Sequence, residues 1–406
     1  MLYSQLFPKA KKTAPKDAES ANAKYLVQGG FVHQEMAGVY SWLPLGLRVL
    51  TKVENIIREE MNALGAQELL MPALQPKENW QTTKRWEGFE VLFKLKSKIG
   101  GEAALGPTHE EIITPLVGAY INSYNDLPLA LYQIQNKYRD ELRVKAGVLR
   151  GREFGMKDLY SFHKDEKDLE DYYERVAKSY LKIFKRCGLD AVRVRATGGA
   201  FSKFSDEFQV ITPSGEDTIY YCDKCKIHYN SELVKDGKCT EGHKLEKGEK
   251  AVEVGNIFKL KTKFSDAFDL KFLDKDGKEK RVIMGCYGIG TTRLVGTIVE
   301  INHDDKGIIW PKEVVPYNMH LLALFGKDEK MVKKISAACL SFLRKQESGG
   351  VEVLFDDRTD VSAGEKFAVA DLLGISERIV ISEKTLANNS IEIKNRQTGK
   401  TKMEKL

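Results

Sequence analysis

The chain has 406 residues, 42% of them hydrophobic, enough to bury a large core spread over two or three domains. Its 64 basic against 58 acidic residues leave a formal charge of +6, a mild bias that suits a polyanionic partner without demanding one. No apolar run is long enough to span a bilayer, and Met1 to Lys12 has no signal-peptide core; with six cysteines too few for a disulfide scaffold, a reducing cytoplasm is the expected location.

In chain order, Leu47 to Leu64 carries apolar residues at helical spacing (Val49, Val53, Ile56, Ile57, Met61, Leu64), and Gly65 is a natural stop. Glu68 to Leu74 reads as a short apolar strand. Lys164 to Cys187 predicts a second long amphipathic helix, opened by acidic residues and closed by Gly188. Strand signals recur at Ala191 to Arg195, Glu207 to Ile211, Asp217 to Tyr221, Ile257 to Leu260 and Arg281 to Met284. This is an antiparallel sheet with flanking helices rather than regular β-α alternation, so the expected fold class is α+β. After Trp310-Pro311 and Pro316 the pattern changes. Strands at His320 to Phe325, Val351 to Phe355 and Ile379 to Ile381 alternate with helices at Glu329 to Lys345 and Lys366 to Leu373. A hairpin of Ile391 to Arg396 with Lys400 to Glu404 completes a compact C-terminal α/β domain. No internal repeat is visible.

Three separated segments suggest one chemistry. Arg139-Asp140-Glu141, an eight-residue loop and Arg150-Gly151-Arg152-Glu153-Phe154 place two guanidinium forks and an aromatic plate around a short loop. Forks suit a phosphate or carboxylate, and the plate suits a purine. Taken alone, the segment favours a charged hairpin with surface ion pairs. Downstream, Met284-Gly285-Cys286-Tyr287-Gly288-Ile289-Gly290-Thr291-Thr292-Arg293-Leu294 reads as a glycine-rich strand entering a helix. Gly285, Gly288 and Gly290 would let a ligand approach the backbone, with Arg293 set near the helix start to meet a polyphosphate. The spacing is not G-x-G-x-x-G and no Gly-Lys-Ser/Thr follows, so neither a Rossmann nor a P-loop site fits. Upstream lies Leu105-Gly106-Pro107-Thr108-His109-Glu110-Glu111. A Thr and a Glu there more often cap a helix than clamp a substrate, and His109, His163 and Cys286 read as structural rather than reactive groups.

Cys222-x-x-Cys225 is followed after thirteen residues by Cys239-x-x-x-His243. Four soft ligands in two close pairs meet tetrahedral zinc requirements, and their lysine-rich spacer cannot build its own core. A metal-free set of reduced side chains is the alternative, and the spacing favours zinc. The near balance of lysines and acids in this stretch argues against a nucleic-acid-binding ribbon.

These segments carry a resemblance. Gly65 to Pro72, Arg139-x-Glu141 with Arg150 and Phe154, and Gly288 to Arg293 resemble motifs 1, 2 and 3 of class II aminoacyl-tRNA synthetases. Gly106 to Glu111, Gly151 to Asp158, Gly285 to Gly290 and Asp356-Asp357-Arg358 are similar to the bacterial prolyl family of that class, and the resemblance runs from Tyr3 to the C-terminus. It implies ATP, L-proline and tRNA(Pro) as partners, Mg²⁺ with the ATP and a homodimer seamed along Gly46 to Leu74. It places Arg139 on the α-phosphate and the proline carboxylate, Arg150 and Arg293 on the outer phosphates, Phe154 on adenine and Glu141 near the adenine amino group. Glu253 is the expected carboxylate near Mg²⁺. Thr108, Glu110, Asn256 and Gly288 are expected at the proline pocket, and Asp356, Asp357, Arg358 and Lys366 at the anticodon. The expected domains are a catalytic domain over 1–221 and 251–315, a Cys/His insert over 222–250 and an anticodon-binding domain over 316–406.

The chain departs from its relatives at Asn256 and Asp206, where histidines are frequent, and at Lys261. Nothing between Phe154 and Gly285 is large enough for the editing domain usual there, so editing in cis is not expected. A threonyl-type synthetase would share motifs 2 and 3, and a non-catalytic relative would be expected to lose Arg139 or Arg293.

Overall fold

The computed structural model describes residues 1–406 except Asp17, Ile99, Arg143, Lys145 and Ala200. Its contacts divide into two units. The larger holds Met36–Val39 and Val53–Thr297; the smaller gathers Met1–Glu35, Tyr40–Lys52 and Ile298–Leu406.

The larger unit is built on a nine-stranded sheet. From one edge, Gln67–Glu68 lies parallel to Leu129–Tyr138, which is followed in antiparallel order by Glu153–His163, Ile283–Gly290 and Glu249–Lys261. Then come Asp217–Cys222, Ile227–Asn230, Ala191–Thr197 and Phe204–Ile211. The last of these pairs back onto Glu249–Lys261, so five strands close into a small barrel at that end. The strands predicted at Ala191 to Arg195, Glu207 to Ile211, Asp217 to Tyr221 and Ile257 to Leu260 are present, whereas Arg281 to Met284 is split at Val282 between two sheets. Ile257 to Leu260 extends into a thirteen-residue strand, because it has partners on both sides.

One face of the sheet is covered by the helix Glu166–Arg186, which begins where Asp165 accepts from the Asp168 amide and carries acids in its first turn and bases in its last. Leu169, Tyr173, Val176, Tyr180 and Phe184 recur every three or four residues and are buried against the strands. Tyr180 meets Phe208 at 5.1 Å between ring centroids. Burying each such ring contributes roughly 1.5–3 kcal/mol, which outweighs the low intrinsic propensity of a tyrosine-rich helix.

The run Glu68 to Leu74, expected as one strand, is broken. Leu69 still donates to the Tyr132 carbonyl, but the Met71 amide is taken by the Gln133 side chain, and Pro72 has no N–H to give. Leu74–Pro76 instead joins Glu102–Leu105 and Phe93–Lys96 in a separate three-stranded sheet that periodicity did not reveal.

In the smaller unit, Met319–Leu324 lies between Val353–Asp356 and Glu377–Ser382 as a parallel core, extended by Ser390–Asn395 and Thr401–Lys405 as an antiparallel hairpin. Helices Glu329–Ser348 and Ala363–Leu373 make the crossovers, as the alternation predicted. Residues 1–35, expected with the catalytic sheet, belong to this unit. Met1 pairs with the backbone of Val353–Asp356, and Phe31 packs on Trp310 at 5.3 Å.

Candidate active site

A cavity of about 310 Å³ opens over the central strands of the larger unit, and Thr108, Glu110, Arg139, Phe154, Glu253, Asn256, Gly288 and Arg293 all line it. Strand geometry explains how they meet. Phe154, Met156 and Asp158 alternate along one strand, Cys286, Gly288 and Gly290 along the next, and Asn256 stands opposite Gly288 on a third. Gly288 has open space where a Cβ would go, its nearest neighbour being Met156 Sδ at 3.8 Å. Gly285, expected to serve ligand approach too, does not. It faces the opposite side, where a Cβ would stand 2.3 Å from the Tyr287 hydroxyl and 2.8 Å from Ser161 Oγ.

The arginines differ in how they are held: Arg293 and Arg150 are paired with carboxylates, whereas Arg139 is anchored by a carbonyl and a ring. Arg139 Nη2 donates to the Pro107 carbonyl at 3.3 Å and its guanidinium lies 5.2 Å from the centre of the Phe154 ring, while its buried Nε has no partner among the described residues. Burial, and then the nearby Arg293, lower the proton affinity of Arg139, although a guanidinium stays charged. Arg293, in the first turn of Thr291–Ile301, donates through Nε to the Leu149 carbonyl at 2.7 Å and through Nη1 to Glu253 Oε2 at 3.2 Å. Arg150 and Glu141 are not among the lining residues: they pair with each other at 2.8 Å, and Arg150 also meets Glu216 at 3.0 Å. Of the loop that separates them, Arg143 and Lys145 lie outside the described residues.

The floor is acidic and buried. Glu110 is fully buried and accepts from Thr108 Oγ1 at 2.5 Å and from Cys286 Sγ at 3.0 Å. Beside it, burial pushes the Glu111 carboxyl up to about 7 despite an ion pair with Arg85 at 2.8 Å. Asp158 pairs with Lys137 at 2.7 Å. Asn256 sends its amide N–H toward Glu207 at 3.5 Å and keeps a buried amide oxygen free of partners among the described residues. Burial, and next Glu253, push Glu207 up to about 8. A wall of cations thus faces a floor able to accept N–H donors, which suits a ligand with an anionic end and an ammonium end.

Sequence reading missed several participants. Arg85 is buried among Trp80, Phe89 and Phe201 and underlies the acidic floor; Phe89, Val91 and Phe201 line the cavity from distant segments. His109 is buried with Nε2 on the Pro72 carbonyl at 3.1 Å, its pKa pulled down to about 4 by burial and then Lys137. His163 sits between Asp168 and Ser161 at 3.1 and 2.8 Å. Both are structural.

The ligand atoms of Cys222, Cys225, Cys239 and His243 converge within 4.8 Å of one another. Cys239 Sγ lies 3.8 Å from both Cys222 Sγ and Cys225 Sγ, and His243 Nδ1 lies 3.2–3.9 Å from the three sulfurs. A tetrahedral zinc with bonds of about 2.3 Å to sulfur requires sulfurs about 3.8 Å apart, so the donor set fits.

In the smaller unit Asp356 is fully buried and holds Arg358 through two bonds of 2.9 and 2.7 Å. Asp357 is engaged by Ser4. Lys366, expected to reach a nucleic-acid backbone, is only 1% exposed and donates to the Ala323 and Asp356 carbonyls at 2.7 and 3.3 Å. Its place on the inner face of Ala363–Leu373 turns the ammonium into the domain.

Comparison with known proteins agrees with this geometry. A model of the class II tRNA synthetase core domain (G, H, P, S and T) matches residues 93–302, and one of the anticodon binding domain matches residues 314–406. A proline--tRNA ligase of Anaplasma phagocytophilum (strain HZ) is 39% identical over 418 residues, covering 98% of this chain and 96% of the relative. One of Rhizobium meliloti (strain 1021) is 40% identical over 431 residues with the same coverage. One of Sulfurihydrogenibium sp. (strain YO3AOP1) is 36% identical, but its alignment extends over 547 residues against the 406 here, so it has a long stretch with no counterpart in this chain. With Arg139, Arg293, the glycine strand and the acidic floor gathered in one cavity, and with likeness over nearly the full length, this chain belongs to the class II aminoacyl-tRNA synthetases, in the proline--tRNA ligase family.

Proposed function

We propose that the chain joins L-proline to tRNA(Pro) in two steps within this cavity. The observation that carries the reading is the pairing of Arg139 and Arg293 on one wall with Thr108 and Glu110 on the floor. A proline carboxylate oxygen attacks the α-phosphorus of ATP; the bond to the β-phosphate oxygen breaks and pyrophosphate leaves. Two anions must meet, and Arg139 lies where it can hold both. Arg293 and, once released from Glu141, Arg150 take the outer phosphates, while Phe154 offers its ring to adenine. Glu110 and the free oxygen of Asn256 accept the two N–H groups of the pyrrolidinium beside Gly288. The ribose hydroxyl of the tRNA end then attacks the carbonyl carbon and AMP leaves. Glu253, whose carboxylate meets Arg293 at 3.2 Å, is the residue that would hold Mg²⁺ brought with ATP, and the ion would supply neutralisation of phosphate charge.

Pyrophosphate exchange by purified protein, tested with each amino acid in turn, should depend on proline. Exchange driven by threonine instead would overturn the assignment.

Four further features belong to this reading. The Cys/His cluster holds structural zinc: about one zinc per chain should be found by elemental analysis and lost in Cys222→Ser with Cys225→Ser. The Gly46 to Leu74 stretch forms a homodimer seam, supported by Leu70 and Leu74 standing 74% and 58% exposed; sedimentation should give a dimer at micromolar concentration. Alanine attached in error is not removed in cis. Pre-formed alanyl-tRNA should therefore decay at the buffer rate, and faster loss that depends on the active site would reveal an editing centre. The chain works in the cytoplasm; no helix among the described residues is long and apolar enough to cross a membrane.

A further inference from the structure

The first residues of the chain are fastened to the smaller unit beside Asp356-Asp357-Arg358. The Met1 ammonium donates to the Val353 carbonyl at 3.0 Å, the Phe355 amide donates to the Met1 carbonyl at 2.9 Å, and Leu2 bridges Phe355 in parallel register. Tyr3 and Leu6 are buried, and Arg358 lies 4.5 Å from the centre of the Tyr3 ring. Ser4 gives its amide and its hydroxyl to the two oxygens of Asp357 at 2.9 and 2.6 Å. Lys9 then closes a turn by donating to the Ser4 and Leu6 carbonyls at 2.7 and 2.6 Å. That stapled turn carries Phe7, which is 70% exposed, and leads to the exposed Lys11, Lys12 and Lys16.

Each part has a meaning for single-stranded RNA, which proteins recognise by stacking unpaired bases on aromatic rings, bonding their edges and following the phosphates with cations. Asp356 cannot read a base edge, since it is fully buried and its carboxylate holds Arg358. Asp357 can. A carboxylate has about four acceptor positions; Ser4 occupies one on each oxygen and fixes its plane, leaving one on each for a partner. Among the bases, guanine presents two adjacent N–H donors on its pairing edge, the match for that pair. Phe7 is three residues from Ser4, at most about 11 Å along the chain, a distance two or three nucleotides cover.

We propose that the N-terminal arm completes the RNA-binding face of the smaller unit: Phe7 stacks on an unpaired anticodon-loop base, and Ser4 is a positioning residue that aims Asp357 at a neighbouring guanine. The inference rests on the tRNA-ligating reading above and names how that tRNA is held.

The test uses the full chain and an RNA hairpin with the proline anticodon loop, measured by direct binding, so it does not depend on the chemistry of charging. Phe7→Ala should weaken hairpin binding about tenfold, the loss of one stacked base, and Phe7→Trp should restore it. Ser4→Ala should reduce the preference for the natural loop over loops with adenine in place of each guanine, while Ser4→Thr keeps it. In aminoacylation, Phe7→Ala should raise KM for whole tRNA but not for an acceptor minihelix without the anticodon arm. Unchanged hairpin affinity in Phe7→Ala overturns the proposal, as does an equal loss on the minihelix. A change of sedimentation instead of RNA affinity would make Phe7 a contact between protein copies. Proline-dependent exchange in the wild type separately tests the underlying function, so the two can fail apart.

Discussion

On the cavity side of the central strands stand Phe154, Met156, Cys286, Gly288 and Asn256; on the opposite side of the same strands Lys157, Tyr287 and Ile257 pack beneath the helix Glu166–Arg186. Both sides hold cations. Both arginines face open room: Arg139 has an Nε without a partner among the described residues and an Nη2 on a carbonyl, while Arg293 is held by the Leu149 carbonyl and the Glu253 carboxylate. Lys157 is sealed in the core, donating to the Tyr180 hydroxyl at 2.5 Å and the Tyr287 carbonyl at 3.1 Å. What separates them is access: an anion can reach the first side and none can reach the second. A cation left short of partners in a cavity is a binding group, whereas one enclosed in a core is driven toward its neutral form.

The sharpest way to break that contrast is to remove the cavity cation. Arg139→Ala should lower the pyrophosphate-exchange rate at least ~100-fold, because losing a donor aimed at developing charge costs ~3 kcal/mol or more in the transition state. Its melting temperature should stay near wild type, since among the described residues the Arg139 side chain contacts the Pro107 carbonyl and the Phe154 ring and makes no ion pair. Exchange close to wild type in the folded variant would mean the cavity wall is not where the phosphate sits.

Two glycines three residues apart divide the faces more finely. Alanine at 285 would press on the Tyr287 hydroxyl and Ser161 within the packed side, so Gly285→Ala should cost ~1–3 kcal/mol and lower the melting temperature by several degrees. Alanine at 288 meets nothing closer than 3.8 Å, so Gly288→Ala should melt like wild type but raise KM for proline or ATP by filling cavity space. The reverse pattern, read from melting curves and exchange kinetics, would show that the faces have been misassigned.

Much of this was legible because it is local. Arg139, Phe154, Gly288 and Arg293 lie in short segments that carry the resemblance when taken together, though the first alone favoured a charged hairpin, and the long helices announced themselves by period. Gly285 was misread because three glycines in one strand look alike until its parity is fixed by pairing with Glu153–His163. Arg85 and Phe201 were invisible: a segment far from the motifs gives no sign that it will close the cavity. Nothing in Met1 to Leu6 indicates that it will pair with Phe355, because that contact is decided by tertiary packing. Lys366 was expected outside because lysines usually are. Its bonds to two carbonyls are a property of the folded domain alone.

The smallest expected effect tests the sealed side. Burial pulls the Lys157 amine down to about 7, against an ordinary lysine near 10.4. Between those values the unfolded chain binds a proton that the folded chain does not, so stability should rise with pH from about 7 toward 10. Lys157→Met keeps the straight apolar stem and removes the titration, leaving a pH-independent cost from the unpartnered Tyr180 hydroxyl and Tyr287 carbonyl. The quantity to compare is therefore the slope of stability against pH rather than its level. Denaturant titrations from pH 7 to 9.5 should show wild type gaining on Lys157→Met by at most ~1.4 kcal/mol per pH unit, the limit for one proton. Parallel profiles would mean that Lys157 keeps its charge in the core, held by the Asp158 carboxylate and the neighbouring hydroxyl and carbonyl dipoles. Access would then no longer decide the state of a cation in this sheet, and the unmet donors of Arg139 would lose their force as a sign of an absent anion.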